Sequence, residues 1–132
     1  MKVVLDTNVL VAAFATEGLC HSLLEFCVDR HQVVVSAFVL KELSEGLLKK
    51  LKMPSPIVEG ILDYLNDMCI AVEPKPLDRP ICRDHKDDAI LALASEAVAD
   101  YLITGDDDLL VLKKLNTTLI VTPRKFWEIS RK

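Results

Sequence analysis

The sequence predicts an α/β protein: a parallel β-sheet covered by helices on both faces. Three observations predict it. Short runs rich in β-branched residues alternate with longer segments of helical period. The first of these runs, Val3 to Leu5, is apolar throughout, as a strand buried on both faces must be. Helices separate the strands, so right-handed crossovers are needed to bring the strands together in parallel.

Along the chain, Asp6-Thr7-Asn8 ends the first strand and caps a helix carrying Val9, Leu10 and Phe14. A second helix is expected from about Leu19 to Asp29, with Leu23, Leu24, Cys27 and Val28 on one face. Gln32 to Val35 reads as the next strand. Ser36 then caps a helix whose apolar stripe is Val39, Leu40, Leu43, Leu47 and Leu51. Pro54 and Pro56 end it and start another, Ile57 to Met68, with Ile61, Leu62 and Leu65 facing inward. Cys69 to Val72 reads as a third strand. Glu73 to Asp84, with Pro74, Pro76 and Pro80, is the one long connection. There follow a strongly apolar helix (Asp87 to Val98), a strand (Tyr101 to Thr104), a short helix (Asp107 to Leu115), a strand (Leu119 to Val121) and a final helix from Pro123 holding Phe126, Trp127 and Ile129.

The 132 residues form one expected domain, 1–132, with no internal repeat and no low-complexity tract. At 51% hydrophobic and 27% charged residues the composition is that of a globular protein, and at 5% aromatic the core must be aliphatic. No stretch approaches the length of a membrane span. Met1 to Asp6 is charged too early for a signal peptide, so a cytoplasmic location is expected. Cys20, Cys27, Cys69 and Cys82 lack C-x-x-C spacing and read as reduced, mostly buried thiols.

In parallel α/β folds, ligands bind beyond the carboxyl ends of the strands. Asp6 follows the first strand and Asp106 follows Tyr101 to Thr104. Asp87 opens the helix leading into that strand, and Glu42 lies in the helix after the second. Four distant segments would each bring a carboxylate to one rim, and a loose ring of carboxylates suits Mg²⁺ or Mn²⁺. Each acid also has an ordinary explanation. Asp6 and Asp106 could be helix caps, Asp107 reads as a cap only, and Thr104 to Asp108 could be a solvated turn. Repetition at strand ends, not any single residue, favours a site.

Glu45 has Lys41 and Lys49 four residues away on either side and reads as a solvated ion-pair residue. Glu42 has Phe38 and Gly46 there instead, and a carboxylate without a basic neighbour beside an apolar stripe needs another partner, such as a metal. Asp87 aligns with Ile90, Leu91 and Ala94 and points along the core face, while Asp88 sits nearer the helix edge. Asp87 is therefore the favoured ligand, with Asp88 an accessory candidate. His21, His31 and His85 show no ligand spacing, and neither a nucleophile elbow nor a Gly-rich phosphate loop is present. Metal-assisted hydrolysis is the chemistry left.

The stretches Lys2 to Leu10, the Glu42 helix and Tyr101 to Leu110, with its T-G-D-x-D-L-L motif, resemble the PIN-domain family. Cys82 to Asp88 looks like the branch of toxin components (VapC-like) of toxin–antitoxin pairs. The resemblance runs nearly the whole chain. It implies a three-layer α/β/α sandwich and a metal-dependent endoribonuclease acting on single-stranded RNA, often a homodimer, held inactive by a cognate antitoxin protein. It matches Asp6, Glu42, Asp87 and Asp106 to the family's acidic positions and Asp108 to a further one. Thr7 or Asn8 would support Asp6, and Thr104 stands beside them as an accessory position.

On this expectation Mg²⁺ or Mn²⁺ binds the carboxylates and activates a water for in-line attack on a phosphodiester. The net charge of −4 opposes RNA binding, but much of the acidity lies in the expected site. Lys41, Lys49, Lys50 and Lys52, Arg124, Lys125, Arg131 and Lys132, and Arg83 and Lys86 beside the site could meet phosphates, though Lys49 to Lys52 serve equally as a solvated face. A haloacid-dehalogenase-type phosphatase would need a second Asp where Asn8 stands. A receiver domain would need an acidic pair at the first strand and a lysine where Thr122-Pro123 stands. The stronger rival is a catalytically inactive PIN-like module that binds RNA or protein.

Overall fold

The computed structural model describes residues 1–130. Lys2–Leu5 forms β1, and Val3, Val4 and Leu5 are all buried. Gln32–Val35 forms β2 with the same pattern, paired in parallel with β1 so that Val3 faces Val33 and Val4 faces Val34. Burial without alternation means that both faces of these strands are covered. Ile70–Ala71 is β3, Tyr101–Ile103 is β4, Lys114–Leu115 is β5 and Thr118–Val121 is β6. They assemble in the order β3-β2-β1-β4-β6-β5. Every pairing is parallel except that of β5 with β6. The expected all-parallel sheet is thus a mixed one with an antiparallel edge.

The connections from β1 to β2 and from β2 to β3 step one way across the sheet; the return to β4, and onward to β6, steps the other. With right-handed crossovers, α1 (Thr7–Ala15), α2 (Leu19–Arg30), α3 (Ala37–Glu45) and α4 (Ser55–Met68) cover one face, and α5 (His85–Ala97) covers the other. The result is a three-layer α/β/α sandwich. α5 lies against β1, burying Ile90, Leu91, Leu93 and Ala94. α7 (Pro123–Ser130) packs on α2, where Phe126 is fully buried edge-on to Tyr101 at 5.1 Å. The rest of the core is Val, Leu, Ile, Ala and Cys27, as scarce aromatics require. Because the winding direction reverses between β1 and β4, a crevice opens beyond their carboxyl ends. The site lies there.

Several elements differ from expectation. The helix begun at Ala37 widens after Glu45 into a π-helical turn, Gly46–Lys50. A Cβ at Gly46 would lie only 3.2 Å from a Val11 methyl, so the backbone approaches α1 closely there. The wider turn keeps Leu47 buried but leaves Leu51 41% exposed, so the stripe ends one turn early. In α4, Val58 and Leu65 are buried, whereas Ile61 and Leu62 are only half-buried. The helix expected from Asp107 to Leu115 is a single turn, α6 (Asp107–Leu110). Lys113 turns left-handed at φ 65°, Leu115 enters β5, and Asn116 at φ 54° makes the two-residue hairpin to β6. α5 starts at His85, two residues early, because Asp84 caps it by accepting from the Lys86 N–H at 2.9 Å.

Among the described residues no single helix is long and apolar enough to cross a membrane; the apolar run through α1 and α2 is bent by 108°. All four cysteines are free thiols. Cys27 is buried and its thiol pushed up to about 12 by burial, while the other three are half-buried.

Candidate metal centre

Asp6 is placed by the end of β1. Its backbone N–H still donates to the Ile103 carbonyl at 2.9 Å, as a strand residue would, while its carbonyl accepts the first bonds of α1 from Val9 and Leu10. Its carboxylate caps α1 by accepting from the Thr7 N–H at 2.7 Å through Oδ1. Oδ2 accepts from the Thr104 hydroxyl at 2.7 Å, across the β1–β4 junction. The cap explanation is therefore true of Asp6 and incomplete. Thr104 is fully buried, and its Oγ1 also accepts from the Asp106 N–H at 3.0 Å. Asp106 in turn caps α6, accepting from the Asp108 N–H at 2.9 Å. One hydroxyl thus links the ends of β1 and β4, holding Asp6 by its carboxylate and Asp106 by its backbone. Asp107, expected to be the cap, is the first helical residue beyond it and is exposed.

Asp87 stands in the first turn of α5, where the helix dipole favours an anion, and is buried. One carboxylate oxygen from each of Asp87, Asp106 and Asp108 lies within 4.8 Å of the other two. Asp6, Glu42, Asp87 and Asp106 all line one cleft of about 340 Å³, together with Thr7, Asn8, Asp84, Glu45, Lys49, Lys50 and Lys86. The four expected acids are thus gathered at a single place. Asp108, expected to be accessory, joins the tight group while its side chain pairs with Arg83 at 3.2 Å.

Asp88 is turned away. Its Oδ1 accepts from the Ile81 and Cys82 N–H groups at 3.1 and 2.9 Å, anchoring the proline-rich connection to α5. One step along a helix rotates the side chain by about 100°, enough to separate a cleft residue from a loop anchor.

The electrostatics reflect the crowding. Burial raises the pKa of Asp87 from 3.8 to about 7, helped by a contact with Asp106 and by the charges of Asp106, Asp84 and Asp6. Asp6 is also raised, chiefly by burial, against the lowering effect of its bonds from Thr104 and Thr7. Among the described residues the buried Thr7 hydroxyl oxygen, beside Asp6 in sequence, has no hydrogen-bond partner. Hard oxygen donors, carboxylates too crowded to ionise freely and an unpaired hydroxyl together fit a hard divalent cation.

Two charge expectations change. Glu42 does have a basic neighbour: Lys86 Nζ, from α5, lies 3.5 Å from Oε2. Sequence-local spacing could not reveal a pair formed between helices in different layers. Glu45 makes no ion pair with Lys41 or Lys49 among the described residues and instead lines the cleft with Lys49 and Lys50. The π turn that moves these lysines had no sequence signal beyond Gly46. Lys41 borders a separate groove beside Leu62 and Asn66, and Arg131 and Lys132 lie outside the described residues. His21 pairs with Glu25 at 2.8 Å and His31 lies among Phe26 and Phe126, both away from the acids.

The fold is an α/β/α sandwich with an acidic cleft at its switch point. The PIN domain family model matches residues 2–108, and the chain belongs to the PIN-domain family. Among solved structures, VapBC2 from Rickettsia felis bound to a DNA fragment from their promoter is similar at 18% identity and TM-score 0.64, covering 92% of this chain and 98% of that one. VapBC-1 from nontypeable Haemophilus influenzae is similar at 16% identity and TM-score 0.65, covering 94% and 99%. FitAcB from Neisseria gonorrhoeae follows at 15% identity and TM-score 0.56, covering 92% and 98%. At these identities the likeness is one of fold. No curated protein matches the chain in sequence.

Proposed function

We propose that this PIN domain is a metal-dependent endoribonuclease that hydrolyses phosphodiesters of single-stranded RNA, and that it is the toxin of a toxin–antitoxin pair. The observation that carries the proposal is the gathering of Asp6, Glu42, Asp87 and Asp106 on one cleft. Asp87, Asp106 and Asp108 would hold the cation, with Asp6 and Glu42 completing the ring of carboxylates. When bound, Mg²⁺ or Mn²⁺ supplies Lewis acidity and a lowered pKa for water. Thr104 fixes the direction of the Asp6 carboxylate and holds the backbone of Asp106, a positioning role of the kind that tunes metal sites. Burial and the neighbouring acids raise the Asp87 carboxyl to about 7, so a cation bound there would compete with its proton.

Family membership supports the nuclease activity. The similarity to the VapBC structures supports an antitoxin partner, and the family resemblance supports a homodimer. The purified protein incubated with single-stranded RNA should cleave it with Mn²⁺, lose activity with chelator, and lose it again as the Asp6→Asn variant. Cleavage surviving either change would mean another site or a contaminant; RNA binding without cleavage would mean an inactive binding module.

A further inference from the structure

Three lysines line the acidic cleft: Lys49 and Lys50 from the π turn and Lys86 from α5, in the opposite helix layer. Lys49 and Lys50 end their helical turn, where cations are favoured by the helix dipole. Lys86 sits in the first turn of α5, where they are disfavoured. Its ion pair with Glu42 is half exposed on the lysine side, 55%, so the pair contributes little to stability and does not account for the placement. The pair does fix direction. It holds an ammonium group at the edge of the acid cluster through Oε2.

Acids lining the cleft outnumber its lysines six to three. A polyanion can enter such a cleft only if the acids are offset by a cation and the lysines meet phosphate oxygens. We infer that Lys86 is a substrate-binding residue that takes a backbone phosphate of the RNA strand, its ammonium held ready by Glu42, with Lys49 and Lys50 gripping the strand from the other layer. The inference rests on the nuclease reading above and names the side chain that touches the substrate.

The test measures binding of a fluorescent single-stranded RNA oligonucleotide by anisotropy, with Mg²⁺ over a series of KCl concentrations. Asp6→Asn serves as the background so that the strand stays intact. Adding Lys86→Met should weaken binding about fivefold and lower the slope of log Kd against log salt by about 0.7, the value for one phosphate contact on a single strand. Lys86→Arg should restore most of both, and Lys114→Met, on the exposed β5 edge, should change neither. A Lys86→Met protein with an unchanged salt slope, whatever its melting temperature, would show Lys86 to be only the counter-ion of Glu42, and would overturn the inference. Wild-type protein cleaving RNA in that same series would leave the nuclease reading standing. Failure of the wild type both to cleave and to bind would overturn both.

Discussion

The two ends of the sheet use similar residues to opposite effect. At the amino end, Asp100 accepts from the Lys2 N–H at 2.9 Å, and the buried Thr118 hydroxyl donates to the Ala99 carbonyl at 2.6 Å. His31 there is kept below its ordinary pKa by burial and by the nearby N-terminal ammonium. Acid and hydroxyl each meet a backbone partner, and they tie loops to strands. At the carboxyl end, Asp6 and Asp106 also cap helices, yet no backbone or hydroxyl donor bonds the Asp87 carboxylate among the described residues, and burial drives Asp87 and Asp6 toward their protonated forms. An acid at a strand end is thus uninformative alone. A buried acid crowded by other acids and given no donor of its own is what marks a site.

The comparison can be broken by experiment. The largest expected effect is on activity: Asp106→Asn should lower Mn²⁺-dependent RNA cleavage by about a hundredfold to a thousandfold, whereas Asp100→Asn should leave it within twofold of wild type (about 0.4 kcal/mol). A steady-state cleavage assay of both variants decides it, and equal losses would erase the distinction between the ends.

Next in size is a pH effect. In chelator, the unfolded chain releases the Asp87 proton near pH 4 while the folded protein keeps it until about 7. The folded state therefore binds more protons in that window, so its stability should fall as pH rises from about 4 to about 7, by up to a few kcal/mol. Melting temperatures against pH should show this slope, and Asp87→Asn should flatten it. Mn²⁺ affinity should rise over the same range, because the cation competes with that proton.

A third pair of variants compares the two threonines. Thr104→Val leaves Asp6 Oδ2 and the Asp106 N–H without their partner. It should cost about 2 kcal/mol of stability and weaken Mn²⁺ binding about tenfold or more by calorimetry. Thr118→Val breaks a single bond to Ala99 and should cost about 1 kcal/mol with metal affinity unchanged. The smallest effect is on stability from Asp100→Asn, about 0.5 kcal/mol or less by denaturant titration, since the residue is exposed and its amide oxygen can still accept.

Much of the fold was legible because its signals are local. Continuous apolar runs mark β1 and β2, Ser36 accepts from the Val39 N–H as a helix cap should, and the stripe of Val39, Leu43 and Leu47 is buried. The misjudged segments are those where tertiary contact overrode local preference. Leu112 and Leu115 continue a helical period, yet Lys113 and Asn116 take left-handed backbone conformations that send Leu115 into the sheet. The π turn arises where Gly46 meets α1, a contact no local window contains.

The sequence by itself determined which side chains could matter, because only residue type supplies hard oxygen donors, and it determined that strand ends would carry them, because strand and helix periods are local properties. Only the tertiary structure decided which of those side chains face one another. It separated Asp87 from Asp88, drew Asp108 into the tight group, and gave Glu42 its lysine from another layer. The physical reason is that burial and charge–charge interaction depend on distance through space, which chain spacing does not specify.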